Sequence, residues 1–174
     1  MSKVLVTGGC GFVGSNLVDM LVKDNEVYVV DNLDTGKKEN CNPNAKYIFE
    51  DILDVFSGET PEYLKDVEVV FHLAALARIQ PSFNRPAKTI DVNARGTSLV
   101  CEFARNVDAK LVYAGSSSFY AGVYLNPYAF TKWQGEEICK MYSEVYGTKT
   151  AIARFFNVYG ERQPYEGPYG TVVG

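Results

Sequence analysis

The sequence has a single histidine and a single tryptophan, and its four cysteines never come closer than 31 positions to one another. A zinc site draws three or four Cys, His or acidic ligands from short spacings. One His and no C-x-x-C pair therefore argue against a metal. Thiols as scattered as Cys10, Cys41, Cys101 and Cys139 suit a reducing compartment. Runs of Lys or Arg are missing too: 17 basic residues against 21 acidic ones give a net charge of −4. That removes the electrostatic footprint for nucleic acid or an anionic membrane. No apolar stretch approaches the roughly 18 residues of a membrane span, and no basic-then-apolar leader precedes Val4. These absences point to a cytoplasmic enzyme or binding protein with one substantial core in 174 residues.

What the chain does have is alternation. Short apolar runs at residues 3–7, 27–30, 46–49, 68–73, 110–114 and 150–155 read as strands buried on both faces. Helical spacing follows at residues 12–23, 84–106 and 127–146, with Pro127 suited to a first helical position. Polar residues 35–44, with Gly36 and Pro43, read as a loop. Strands alternating with helices predict an α/β fold with a parallel sheet and right-handed crossovers.

Directly after the first strand comes Gly8-Gly-Cys-Gly11-Phe-Val-Gly14. Glycines there permit a tight turn and a close approach of backbone to a pyrophosphate, and the following helix N-terminus receives negative charge. Asp31 closes the second strand, where a carboxylate accepts hydrogen bonds from the ribose hydroxyls of an adenosine. Together these predict a Rossmann-type NAD site. The carboxylate repels a 2′-phosphate and no Arg stands beside it, so NAD is expected over NADP, although Lys37 and Lys38 are close in sequence.

A second constellation lies downstream. Tyr128 and Lys132 are four residues apart, on one helix face. A tyrosine is a weak base at neutral pH, and an adjacent ammonium favours its phenolate. Ser116, Ser117 and Ser118 end the fifth strand, where open α/β sheets place their ligands. His72, inside an apolar strand, reads as a satisfied core residue and not as a catalyst.

These segments, with Asp51-Ile52, His72-Leu-Ala-Ala75, Asn93 and Arg154-Phe-Phe-Asn-Val-Tyr-Gly160, resemble the extended short-chain dehydrogenase/reductase family of NAD-dependent nucleotide-sugar epimerases and dehydratases. The resemblance implies a doubly wound Rossmann sheet in the order 3-2-1-4-5-6. It also implies that Gly8, Gly11, Phe12 and Val13 hold the pyrophosphate, and that Asp31, Asn32, Thr35 and Gly36 surround the ribose. Asp51 and Ile52 would flank adenine, while Leu73, Ala74, Ala75 and Asn93 lie along the cofactor. Tyr128 and Lys132 would serve both cofactor and catalysis. Ser116 falls on the catalytic serine position, with Ser117 as its neighbouring alternative on the substrate side, and Asn157 would approach a UDP-sugar.

The family's dehydratases place an Asp–Glu pair where Ser117 and Ser118 stand, so a UDP-glucose/UDP-galactose type 4-epimerase is expected ahead of a dehydratase. A catalytically silent NAD-binding module of the same family is the other reading. A homodimer is implied through helices near residues 84–106 and 127–147. Two features depart from the family: only 12 positions separate Ser116 from Tyr128, and most of the C-terminal substrate lobe is absent. The expected division is an NAD-binding domain at residues 1–160 and the start of a substrate-side segment at 161–174.

Overall fold

Six strands form one parallel sheet in the order β3-β2-β1-β4-β5-β6. They are β1 (Lys3–Thr7), β2 (Glu26–Val30), β3 (Lys46–Ile48), β4 (Val69–His72), β5 (Lys110–Ser116) and β6 (Thr150–Phe155). The computed structural model describes residues 1–164. β1 is central, pairing Val4–Thr7 with Val27–Val30 on one side and with Val69–His72 on the other. The topology is the one the resemblance implied.

Helix α1 (Phe12–Leu21) packs on one face through Val18 against Val4, Val6, Val27 and Val29. The opposite face carries the larger core, in which Leu5, Val70, Leu111 and Tyr113 meet α5 (Gly96–Asn106) and α7 (Pro127–Tyr146) through Val100, Cys101 and Cys139. α7 spans the residues expected of it. The Asn126 side chain accepts the Ala129 N–H at 2.8 Å, Pro127 occupies the first turn, and Gly147 ends the helix at φ 71°.

The single helix expected at residues 84–106 is divided. α3 (Ile79–Asn84) stops at Arg85, whose φ and ψ of −133° and 56° are non-helical because the Pro86 ring crowds the residue before it. α4 (Pro86–Ile90) then widens into a π-helical turn, Asp91–Arg95, before α5 begins. β5 runs two residues further than expected: Gly115 and Ser116, which resemble turn residues, pair with Arg154 and Phe155. Short helices α2 (Ile52–Val55) and α6 (Ser118–Ala121) lie in segments that show no periodicity, and residues 35–44 contain one 3-10 turn, Lys38–Asn40.

The cysteines are separated in sequence but not in space. Sγ of Cys10 lies 3.6 Å from that of Cys41, and Cys101 lies 3.8 Å from Cys139. After β6 the chain turns back onto α1. The Asn16 side chain donates to the Glu161 carbonyl at 2.9 Å, and Arg162 pairs with Asp19 at 2.6 Å. Residues 161–164 thus lie against the sheet domain, and the remainder of the expected 161–174 segment falls outside the described residues.

Candidate active site

The turn between β1 and α1 is built on backbone proximity. Gly8 has φ +75°, and a Cβ there would stand 2.7 Å from the Ala74 amide nitrogen. A Cβ on Gly14 would stand 2.1 Å from the Gly8 carbonyl oxygen. Side chains at either position are therefore excluded, and the turn can lie flat beneath a phosphate. Gly11 precedes α1 in extended conformation, no side chain caps the helix, and its first turn has no acidic residue. The N–H groups of Phe12 and Val13, which have no intrahelical acceptor, remain available to an anion.

Asp31 is buried at the end of β2. Its carboxylate accepts the Cys10 N–H and the Leu33 N–H, each at 2.8 Å, which ties the phosphate turn to the following loop. Gly36 packs on that carboxylate: a Cβ would lie 2.8 Å from Oδ1. Each carboxylate oxygen keeps a second lone-pair site. Exposed Asn32 donates to Asp51 at 2.9 Å, and Asp51 also caps α2 by accepting the Leu53 N–H. Ile52 is buried against Gly96, and exposed Thr35 flanks Gly36. Lys37 pairs with Glu39 at 3.2 Å and the Lys38 ammonium lies over the Phe49 ring, so both loop lysines have partners away from Asp31.

Beyond β5, the Tyr128 hydroxyl lies 3.5 Å from Ser116 Oγ, which also accepts the Ser118 hydroxyl at 2.8 Å. Lys132, one turn along α7, is buried with its ammonium 4.3 Å from the Tyr113 ring centre. Burial draws its pKa down to about 8, against the opposing pull of Cys139 and Glu136. Ser117 donates its N–H to the Phe155 carbonyl at 2.9 Å, while Asn157 is exposed just past β6.

His72 is fully enclosed. The Thr97 hydroxyl donates to the Asn93 carbonyl at 2.6 Å, so it accepts from His72 Nε2, and Nδ1 then accepts from Thr7 at 2.7 Å. Both ring nitrogens are satisfied by a neutral imidazole. Burial, with Lys132 nearby, lowers the pKa to about 3. Asn93 is likewise occupied: its amide bonds Leu76 N–H and C=O and the Thr131 hydroxyl. It clamps the segment after β4 to α7.

Residues 4–173 match the NAD dependent epimerase/dehydratase family. The chain belongs to this family. A Methanocaldococcus jannaschii protein named "Putative UDP-glucose 4-epimerase" is 40% identical over 97% of this chain, which spans 60% of that protein's length. The UDP-N-acetylglucosamine 4-epimerase of Methanobrevibacter ruminantium, solved with UDP-N-acetylmuramic acid, superposes with a TM-score of 0.89 at 35% identity, over 98% of this chain and 60% of its own. A Thermus thermophilus UDP-glucose 4-epimerase complexed with NAD gives 0.84 at 32% identity, over 97% and 59%. UDP-glucuronic acid decarboxylases are also similar, for example one from Arabidopsis thaliana at 33% identity over 92% of this chain and 40% of its own.

NAD is the family's cofactor, and the uncapped α1 terminus, the side-chain-free turn and the buried Asp31 carboxylate fit it. Several supporting residues of this family member carry no motif of their own. Ser82 accepts the Tyr128 N–H at 3.2 Å. Glu136, one turn beyond Lys132, is buried and bound through both oxygens by Arg154. Gly115 makes room for that pair, since a Cβ would lie 2.7 Å from Glu136 Oε1. The Y-x-x-x-K spacing extended by four residues to Glu136 was the available signal for the pair; Ser82 offered none.

Proposed function

We propose that this chain carries the cofactor site and the acid–base group of a nucleotide-sugar 4-epimerase of the UDP-glucose/UDP-galactose type, working through a transient 4-keto sugar. The observation that carries the reading is the approach of the Tyr128 hydroxyl to Ser116 Oγ, 3.5 Å, with Lys132 on the same helix face. Gly8, Gly11, Phe12 and Val13 would hold the pyrophosphate, Asp31 and Gly36 the adenosine ribose, and Asp51 with Ile52 the adenine side. NAD, when bound, supplies a reversible hydride acceptor for C4 of the sugar.

The protein's part is proton transfer and orientation. Ser116 positions the sugar 4-hydroxyl, and Tyr128 removes its proton and later returns it. The Lys132 ammonium stabilises the phenolate through its positive charge. Epimerisation asks no more acid–base chemistry than this. Loss of water needs a further acid, and neither Ser117 nor Ser118, next along the chain, can supply one. Asn157 would meet the nucleotide-sugar from beyond β6.

The test is to incubate the protein with NAD and UDP-glucose or UDP-galactose and follow their interconversion by chromatography and mass. Interconversion without mass change, lost in Tyr128→Phe, is expected. Release of water or carbon dioxide would move the assignment to a dehydratase or decarboxylase. NAD binding with no conversion of any nucleotide sugar would select a second reading, an NAD-binding module without turnover. Because Asp31 repels a 2′-phosphate and both loop lysines are engaged elsewhere, NAD should bind at least tenfold more tightly than NADP by calorimetric titration.

A further inference from the structure

Residues 36–41 lie across the phosphate turn, and their hydrogen bonds to that turn end on one residue. The Cys10 carbonyl accepts the Lys37 N–H at 3.1 Å and the Asn40 side chain at 2.8 Å. Gly36 approaches so closely that a Cβ there would stand 2.9 Å from Cys10 Cβ. Cys41 then brings its sulfur to 3.6 Å from the Cys10 sulfur. The two thiols differ in access: Cys10 is fully buried, whereas Cys41 is partly exposed. The other pair, Cys101 and Cys139, is spaced almost identically but both members are fully buried between α5 and α7.

We propose that Cys10 and Cys41 form an oxidisable dithiol which, as a disulfide, pins the 35–41 loop onto the phosphate turn and slows release of the bound dinucleotide. A disulfide needs about 2.05 Å between sulfurs, so a closing movement of about 1.6 Å suffices. The oxidant class is a small-molecule disulfide, RSSR. The Cys41 sulfur, as thiolate, attacks it and expels one RS⁻, leaving a mixed disulfide on Cys41. The Cys10 sulfur then attacks the Cys41 sulfur, expels the second RS⁻ and loses its proton. Net, two protein thiols become one disulfide and RSSR becomes two RSH. Burial and the neighbouring Asp31 carboxylate push the Cys10 thiol up, which keeps it protonated at rest and makes Cys41 the point of entry.

The loop so pinned carries Thr35 and Gly36, on the ribose side of the turn, so its freedom is removed before the ligand binds rather than during binding. The effect on the cofactor rests on the NAD reading above; the crosslink itself does not. In the test, the whole protein is treated with graded oxidised glutathione, digested without reduction, and mapped by mass. NADH release is then followed by fluorescence on dilution into excess NAD. Expected are a Cys10–Cys41 crosslinked peptide, a free Cys101–Cys139 pair, and NADH release slowed at least threefold, restored by dithiothreitol. Cys41→Ser should bind NADH as the reduced protein does and show no response to oxidant. Glutathione retained on Cys41 without a crosslink, or a crosslink at Cys101–Cys139 in its place, overturns the proposal. So does a Cys10–Cys41 crosslink that leaves NADH release unchanged or faster. Failure of the reduced protein to bind NADH at all would instead refute the cofactor reading, with the peptide map still deciding whether the dithiol closes.

Discussion

At the scale of single residues, Tyr113 sets the distance between β5 and α7. Its phenol occupies the space a side chain at position 135 would fill, 2.1 Å from where that Cβ would be, and it donates to the Lys132 carbonyl at 3.4 Å. Gly135→Ala should therefore destabilise the fold by about 1–3 kcal/mol through overpacking, read from urea unfolding, and should displace Lys132 with it. Lys132 gives a second prediction, with opposite signs for stability and activity. Its pKa falls from 10.5 to about 8 in the folded state. Between those values the unfolded chain holds the extra proton, so this residue's contribution to stability rises as pH climbs through the window. On the proposed function, the Lys132 ammonium that assists proton transfer is lost over the same climb. Turnover should thus decline above about pH 8 while the urea midpoint gains a contribution from Lys132, and that gain should vanish in Lys132→Met.

Among the structural elements, α7 matters most, because it carries Tyr128, Lys132 and Glu136 on one face. Its start rests on Asn126. Asn126→Ala should cost about 1 kcal/mol of stability and lower kcat more than it raises KM, since Tyr128 lies in the first turn. A loss confined to KM would deny the cap any part in placing the tyrosine. α7 was legible from sequence because its start signal, Pro127, is local. The stretch from Ile79 to Asn106 was not. Apolar spacing cannot separate a π turn from an α turn, and the break at Arg85 depends on Pro86, which looks harmless at a helix start. β5 was read short for a similar reason: Gly115 and Ser116 have poor strand propensity, and only pairing with β6 holds them extended. The site residues announced themselves where chemistry fixes a spacing, as in Gly8–Gly14 or Tyr128–Lys132. Contacts between distant segments, such as Cys10 with Cys41, carry no such mark.

For the whole molecule, apolar surface is unevenly distributed. On the α1 side, Val13, Leu17, Phe71, Leu73, Val112, Ala114, Ala153 and Phe155 line a cleft of about 200 Å³ with no polar wall. Parallel sheets bury both faces, so this strip is unusually apolar for a surface. Across the molecule, the outer side of α7 presents Phe130, Trp133 and Met141, with Tyr124 from the turn before it, around a second depression. Tyr124 is 80% exposed and Met141 41%. The α7 patch supports the homodimer proposed from the resemblance. Sedimentation should give the mass of two chains, and Trp133→Glu should yield one; a single-chain mass for the unaltered protein would refute the dimer.

The Ser82 and Asn93 side chains fasten Tyr128 and Thr131, on α7, to the segment that follows β4. For protein engineering this means the tyrosine–lysine helix is not a portable cassette. Moved into another sheet by itself, it would arrive without the hydroxyl that anchors its first turn and the amide that sets its depth. A working transplant has to include residues 76–93 as well, so recombination crossovers between β4 and α7 should be poorly tolerated while those ahead of β4 are not.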